Sequence, residues 1–241
     1  MGDLILMDDT PDFIKTVLID ADIVAYRCAA VTKEEPVSSC LDNVDSLMDR
    51  ISYKALTFDG TVKSYITGKD NFRYELAKSA PYKGNRVATE KPAHLDAARE
   101  HLMEYWDSTL SYGEEADDMI ATESTRYDPK TTAIASNDKD FNTVPCWKFN
   151  FVKNTWRYDT KFSALQYFYN QVLTGDSADN IIGLYGVGIK TAEKMLAECV
   201  TEEDMFKVAV EAYDGDTERV IENARLLHLR RYEGEIWEPP E

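Results

Sequence analysis

Thr16-Val17-Leu18-Ile19-Asp20 is an apolar, β-branched run that ends in an acid. A run without polar alternation is typical of a strand whose two faces are both covered. Apolar residues at helical spacing follow it over 23–30. Together they predict a buried central strand that leads into a helix, the unit from which α/β sheets are built.

The rest of the chain continues this alternation and then becomes helical. Further strands are predicted at 62–67 and 131–136, and a hairpin at 147–152 and 155–158. Helices are predicted at 39–57, 72–79, 93–110, 114–125, 162–173, 190–199, 202–213 and 218–229. The pattern indicates an α/β fold with a mainly parallel central sheet flanked by helices, followed by a helical C-terminal region.

Composition narrows the class of protein. The 241 residues are 44% hydrophobic, which is enough for one sizeable core. No apolar run approaches the roughly 20 residues that span a bilayer, so no membrane association is expected. Residues 1–12 carry four acids and no base, unlike a signal peptide. Four cysteines without a CxxC pair indicate reduced thiols and a cytoplasmic protein.

The net charge of −17 argues against simple nucleic-acid binding, which usually has a basic footprint. Two arrangements would reconcile the charge with a phosphate-bearing substrate. Carboxylates could be concentrated at bound cations, which reverse the local field. Basic residues could also cluster where the substrate passes.

Acids recur at one kind of position in the predicted fold, beyond strand ends and at helix starts, where open α/β sheets bind ligands. They form four groups: Asp20; Glu115, Asp117 and Asp118; Asp138 and Asp140; Asp176 and Asp179. Each group alone is typical of a turn or a helix cap. Together they predict a site for two Mg²⁺ or Mn²⁺ ions, because these ions prefer oxygen ligands and a metal pair activates water for attack on phosphate.

Two further segments indicate a phosphate-bearing substrate. Lys83 and Arg86 lie in a glycine-containing stretch and could grip a phosphate. Residues 182–192 read as helix, Gly-x-Gly hairpin and helix, in which Gly186 and Gly188 let a DNA backbone approach. Lys190 and Lys194 add positive charge there. The alternative, a nucleotide-binding glycine loop, is disfavoured because no strand precedes the segment and G-x-G-x-x-G is not met.

These motifs, in this order, resemble the flap-endonuclease superfamily, and most of all the 5′–3′ exonucleases of tailed bacteriophages. The resemblance covers about residues 16–200 and rests on Ile19-Asp20, Tyr82-Lys83-Gly84-Asn85-Arg86, Glu115-Ala116-Asp117-Asp118, Asp138-Lys139-Asp140, Gly175-Asp176-x-x-Asp179-Asn180 and Gly186-Val187-Gly188. It implies a PIN-like catalytic core over 1–160, with a helical arch over 83–113. A helix-three-turn-helix DNA-binding region over 161–241 would pack on that core in one compact unit.

The resemblance also implies roles for individual residues. Asp20, Glu115, Asp117 and Asp118 would hold the first metal ion, and Asp138, Asp140, Asp176 and Asp179 the second. Lys83 and Arg86 would act on the scissile phosphate, while Tyr82, Lys83, Arg86, Gly186, Gly188, Lys190 and Lys194 would contact DNA. Residues 181–196 would also hold a K⁺ ion. Family members commonly carry another metal-site Asp where this chain has Gly68, and Asp70 is the candidate substitute.

The function that follows is a metal-dependent 5′–3′ exonuclease or flap endonuclease. Its substrates would be DNA 5′ ends, flaps and nicks, and RNA in RNA/DNA hybrids. Two rivals stay open. A PIN-type ribonuclease would share the carboxylates but would not need the Gly-Val-Gly hairpin. A DNA-structure-binding protein of the same fold with weakened catalysis would explain Gly68.

Overall fold

The computed structural model describes residues 5–7, 11, 13–55, 60–86 and 90–240. A mixed sheet forms its centre, in the order β1-β7-β6-β5-β2-β3-β4. The strands are β1 (Ile5–Met7), β2 (Thr16–Asp20), β3 (Thr61–Ile66), β4 (Thr109–Leu110), β5 (Thr132–Ala135), β6 (Trp147–Asn150) and β7 (Thr155–Tyr158). Strands β6, β5, β2, β3 and β4 run parallel, and β7 is antiparallel to both β6 and β1.

Strand β2 is buried along its whole length. Val17 and Ile19 belong to the core on one face of the sheet, whereas Leu18 packs in a separate core with Ala116 and Ile120 on the other face. Because both faces are covered, the strand has no polar alternation, as the sequence predicts.

Helices cover the sheet and form a further core beside it. They are α1 (Ala21–Val31), α2 (Val37–Ala55), α3 (Arg73–Leu76), α4 (Leu95–Tyr105), α5 (Ala116–Ser124), α6 (Lys161–Thr174), α7 (Ile189–Met195), α8 (Glu202–Ala212) and α9 (Thr217–Leu227). Helices α1, α2 and α4 pack on one sheet face, and α5 packs on the other. Helices α6 to α9 build a core of their own, which includes Trp237 and reaches back to Tyr82. The domain boundary at 160 stays a prediction.

The predicted helix 93–110 is shorter in the structure. Helix α4 ends at Tyr105 instead of 110, because Asp107 takes a positive φ and the chain then forms β4 beside β3. Ala98 and Leu102 of α4 are fully buried against the core. Helix α4 therefore packs on the core through this face, and the arch over 83–113 stays a prediction.

The segment before the Gly-Val-Gly hairpin is also not the expected helix. Ile181–Ile182 forms a short strand, β9, antiparallel to β8 at Gly175–Asp176. The chain segments approach most closely at Gly175, which has no room for a side chain, since a Cβ there would lie 2.3 Å from the Gly183 nitrogen. The predicted helix 72–79 is likewise limited to α3, and the predicted end of α2 at 57 lies outside the described residues.

Cys28, Cys40, Cys146 and Cys199 are buried free thiols, as the sequence predicts. Among helices of the described residues, none combines the length and apolar composition that a bilayer-spanning helix needs.

Gly68 is required by the close approach of two chain segments. A Cβ at this position would lie 2.0 Å from the Ser111 carbonyl oxygen, while the Gly68 amide donates to Ser111 Oγ at 2.9 Å. We expect Gly68→Ala to lower the free energy of unfolding by about 1–3 kcal/mol, the usual cost of overpacking. Urea unfolding measures this change.

Gly188→Ala is the matched control, because a Cβ there meets nothing within 4 Å and its φ of −99° suits any residue. Equal free energies of unfolding for the two variants would show that the structure accommodates a Cβ at position 68, against the prediction.

Candidate active site

Asp20 is the last residue of β2 and lies at the edge of the sheet formed by the carboxyl ends of the parallel strands. Its Oδ1 accepts a hydrogen bond from the Ile23 amide at 3.2 Å and caps α1. Its Oδ2 accepts from Ser136 Oγ at 2.8 Å, and Ser136 directly follows β5. Asp20 is thus fixed to two elements of the sheet edge, with only 3% of its surface exposed.

The second group of acids stands at the start of α5. The Ala116 amide donates to Thr67 Oγ1 at 3.0 Å, which joins this helix start to the end of β3. Glu115 accepts from the Tyr82 hydroxyl at 2.9 Å and from Lys83 Nζ. The start of α5 therefore lies beside Asp20, although 95 residues separate Asp20 from Glu115 in the chain.

Two adjoining cavities collect most of the predicted carboxylates. The first cavity, about 430 Å³, is lined by Asp20, Asp22, Glu115, Asp117 and Asp138, together with Gly68, Lys91, Asp96 and Arg99. The second cavity, about 140 Å³, is lined by Glu115, Asp117, Asp138, Asp140, Asp176 and Asp179, together with Arg73, Tyr82, Lys83 and Lys139. Glu115, Asp117, Asp138 and Arg86 line both. Acids from four distant parts of the chain thus converge, as the sequence predicts.

Asp118 lines neither cavity and needs a correction. Both of its oxygens are bound by the Arg73 guanidinium, at 2.6 and 2.8 Å. They also accept from the amides of Arg230 and Glu115, and the side chain is fully buried. Successive residues of a helix point in different directions, so Asp117 faces the cavities while Asp118 faces away. Both oxygens are thus engaged with Arg73, outside the two cavities that collect the other acids.

Asp70 is also placed differently from the prediction. It is exposed, with φ of +67°, and it does not line either cavity. Asp22, which the motif analysis missed, lines the first cavity instead. The signal was its position two residues after Asp20, in the first turn of α1.

The basic stretch after α3 lies along the second cavity. Arg86 Nη2 donates to Asp179 Oδ1 at 2.8 Å, and Lys83 Nζ donates to Glu115. Lys139, also missed, donates to Asp176. Tyr82 needs a correction as a DNA contact, since it is 4% exposed and its hydroxyl bridges Glu115 and Asp179. It orients carboxylates and is closed to stacking with a base.

The glycine turn is open to solvent. Gly186 has φ of +74°, and a Cβ on Gly186 or Gly188 would meet nothing within 4 Å. Lys190 and Lys194 on α7 are exposed. The turn therefore leaves room for a backbone to approach; binding of DNA or K⁺ there stays a prediction.

Solved structures share this architecture. A zinc-bound 5′-exonuclease of bacteriophage T5 is 23% identical, with a TM-score of 0.65 over 89% of both chains. Flap endonuclease-1 of Methanococcus jannaschii also has a TM-score of 0.65, at 12% identity, over 97% of this chain and 84% of that one. The chain shares the fold of these solved 5′-exonuclease and flap-endonuclease structures. This result confirms the resemblance that the motifs indicate.

The sequence relatives include an exodeoxyribonuclease, a flap endonuclease and a DNA polymerase. An exodeoxyribonuclease of Enterobacteria phage T3 is 31% identical over 199 residues, which are 75% of this chain and 65% of that protein. The flap endonuclease Xni of Vibrio campbellii is 31% identical over 164 residues, 60% of this chain and 62% of its own. The thermostable DNA polymerase I of Thermus thermophilus is 26% identical over 215 residues, 80% of this chain but only 25% of the polymerase. No protein-family model matches the chain.

Burial, with a smaller contribution from neighbouring like charge, raises the pKa values of three acids in the site. Burial raises the pKa of Asp20 to about 7; the hydrogen bond from Ser136 opposes this shift, and the charges of Asp22 and Asp138 add to it. Burial and the charges of Asp20 and Asp138 raise the pKa of Asp117 well above its ordinary value. Burial and the charge of Asp138 raise the pKa of Asp140 to about 6. These acids resist ionisation together unless a cation compensates them.

Other carboxylates of the site are paired with basic side chains of the protein. In the described part of the chain, no three His, Cys, Asp or Glu side chains are arranged as a ready metal-binding group. Glu115, Asp176 and Asp179 are instead held by the cations named above.

Arg73 is the buried counter-charge of Asp118, and its Nε and Nη2 also donate to the carbonyls of Leu226 and His228. We expect Arg73→Met to lower the free energy of unfolding by about 3–5 kcal/mol, because removing one partner leaves a buried charge unpaired. Chemical denaturation measures the loss. Lys33→Met, in an exposed pair with Glu34, should cost less than about 1 kcal/mol. Similar losses in both variants would contradict the assignment.

Proposed function

We propose that the chain is a divalent-metal-dependent 5′-nuclease that hydrolyses phosphodiester bonds of DNA. The observation that carries this proposal is the convergence of acids from distant parts of the chain on two adjoining cavities, at the carboxyl ends of parallel strands. Structural acids seldom gather in this way, because like charges repel one another.

The donor set suits two hard cations. Carboxylate oxygens are the ligands that Mg²⁺ and Mn²⁺ prefer, and the raised pKa values of Asp20, Asp117 and Asp140 mark where negative charge lacks compensation. Asp20, Glu115 and Asp117 would hold one ion, and Asp138, Asp140, Asp176 and Asp179 the other. When bound, such a pair supplies activation of the attacking water and neutralisation of the leaving oxygen.

Lys83 and Arg86 would bind the scissile phosphate. Both basic side chains line the second cavity, where Lys83 donates to Glu115 and Arg86 donates to Asp179. Arg86 is 56% exposed and can offer a bidentate contact to phosphate oxygens. Their part in the reaction would be electrostatic, through stabilisation of the charge that develops on the phosphate.

The turn at Gly186 and Gly188, with Lys190 and Lys194, would bind the DNA backbone without reading bases. A relative of this fold, the T5 flap endonuclease, has been solved in a complex with DNA and metal ions at 23% identity and a TM-score of 0.63. For this chain we propose DNA 5′ ends, flaps and nicks as substrates, RNA/DNA hybrids as further ones, and a K⁺ ion at the turn. Because Lys83, Arg86, Lys190 and Lys194 would contact phosphates, binding should weaken as the salt concentration rises.

Cleavage of 5′-labelled flap, nicked and blunt duplexes, with and without Mg²⁺, tests the proposal. Asp138→Asn should reduce the cleavage rate by at least about 10³-fold, in line with the loss of a main electrostatic stabiliser, because Asp138 borders both cavities. Binding of a labelled flap in Ca²⁺ should persist in this variant. Cleavage by Asp138→Asn at the wild-type rate would contradict the assignment of Asp138 as a metal ligand.

The same assay separates the rivals. DNA binding without cleavage by the unmodified chain would identify a binding module. Cleavage of single-stranded RNA but not of DNA would identify a ribonuclease.

Lys83→Ala should slow cleavage by about 10²–10³-fold at saturating substrate, because an electrostatic stabiliser is lost. Lys153→Ala is the control, since Lys153 is exposed in the turn between β6 and β7 and lines neither cavity. Single-turnover rates measure the effect. Equal rates for the two variants would exclude Lys83 from the reaction.

A further inference from the structure

The first cavity contains a carboxylate that the motifs leave without a role. Asp22 lies in the first turn of α1, two residues after Asp20, and its side chain is 28% exposed. It lines the cavity together with Glu115, Asp117 and Asp138. An acid kept beside other acids in a shared cavity needs a reason, because mutual repulsion opposes the arrangement.

Hydrogen bonds hold the Asp22 carboxylate toward the start of α5. Its Oδ2 accepts from the Thr67 amide at 2.7 Å, and Thr67 Oγ1 in turn accepts from the Ala116 amide at 3.0 Å. Thr67 therefore links Asp22 to the helix start that carries Glu115 and Asp117. The orientation of Asp22 is set by the same residue that positions those two acids.

Arg99 of α4 completes the support. Its two terminal nitrogens donate to Asp22 Oδ1 and to the Thr67 carbonyl. A carboxylate has about four lone-pair positions, and the contacts described from Thr67 and Arg99 use two of them. Asp22 can therefore accept further hydrogen bonds from the cavity side while it stays fixed.

No other residue at the end of β3 can supply a carboxylate here. Position 68 admits no side chain, because a Cβ would lie 2.0 Å from the Ser111 carbonyl oxygen. Asp70 is exposed and lines neither cavity. The part of the first cavity next to β3 is thus supplied with negative charge from α1 instead.

We propose that Asp22 is an additional outer-shell carboxylate of the first metal site, that Thr67 is its positioning residue, and that Arg99 is its counter-charge when no metal ion is bound. The inference rests on the proposed function. It assigns the first site to acids from the end of β2 and the starts of α1 and α5, with none from the end of β3.

Isothermal titration of the DNA-free protein with MnCl₂ tests the inference without an activity readout. Wild type should bind two ions. Asp22→Asn keeps the size and the acceptor for Thr67, and should weaken one of the two ions by about 10–100-fold, the usual effect of losing an outer-shell metal partner. Asp96→Asn is the matched control, because Asp96 is an exposed acid of the same cavity, and its affinities should equal those of wild type.

Arg99→Gln distinguishes a metal role from a purely structural ion pair. This variant keeps the Asp22 carboxylate and removes its cation, so Mn²⁺ should bind at least as tightly as in wild type. Weaker binding by Arg99→Gln, or unchanged binding by Asp22→Asn, would overturn the inference. Circular dichroism melts confirm that each variant is folded.

Asp138→Asn separates this inference from the proposed function. If Asp138→Asn loses Mn²⁺ affinity and Asp22→Asn does not, only the role of Asp22 fails. If wild type binds no Mn²⁺ at millimolar concentration, the proposed function fails and Asp22 fails with it.

Discussion

The buried ion pair between Arg73 and Asp118 is the constraint on which the candidate site depends. It joins three parts of the chain that the sheet alone does not connect: α3, the start of α5, and the end of α9 with the residue after it, which offer the Leu226 and His228 carbonyls. Breaking a buried pair leaves an uncompensated charge, so the three parts are fixed relative to one another. Glu115 and Asp117 precede Asp118 in the chain and inherit this fixed position.

The residues around the pair extend the same link. Arg230 stacks on the Phe72 ring at 3.7 Å and bonds to Glu114 at 2.8 Å. The Arg230 amide donates to Asp118 Oδ1. The end of α9 and the segment after it therefore contribute apolar residues to the lining of the second cavity, namely Leu226, Leu227 and Leu229. An apolar wall lowers the local dielectric and strengthens every charge interaction inside the cavity.

Sequence reasoning identified where acids gather but not which way each one faces. Strand β2 and the acid at its end follow from local pattern alone, since a covered strand has no polar alternation. The choice between Asp117 and Asp118 could not be made in this way, because it depends on Arg73, a partner 45 residues earlier. The sequence pattern misses Asp22 and favours Asp70 for a related reason. Whether a side chain fits beside the end of β3 is decided by the Ser111 carbonyl, which belongs to a distant segment.

The acidity of the chain becomes compatible with a polyanionic substrate when the second cavity is considered locally. Six carboxylates face four basic side chains there, so the fully ionised cavity carries a net charge of −2. One divalent ion cancels that charge and a second one reverses it. Phosphate would then meet a positive cavity within a negative protein, and the field that repels DNA at long range would not act at the site, because salt screens it over about 10 Å. Metal binding and substrate binding are thus expected to be coupled by electrostatics alone.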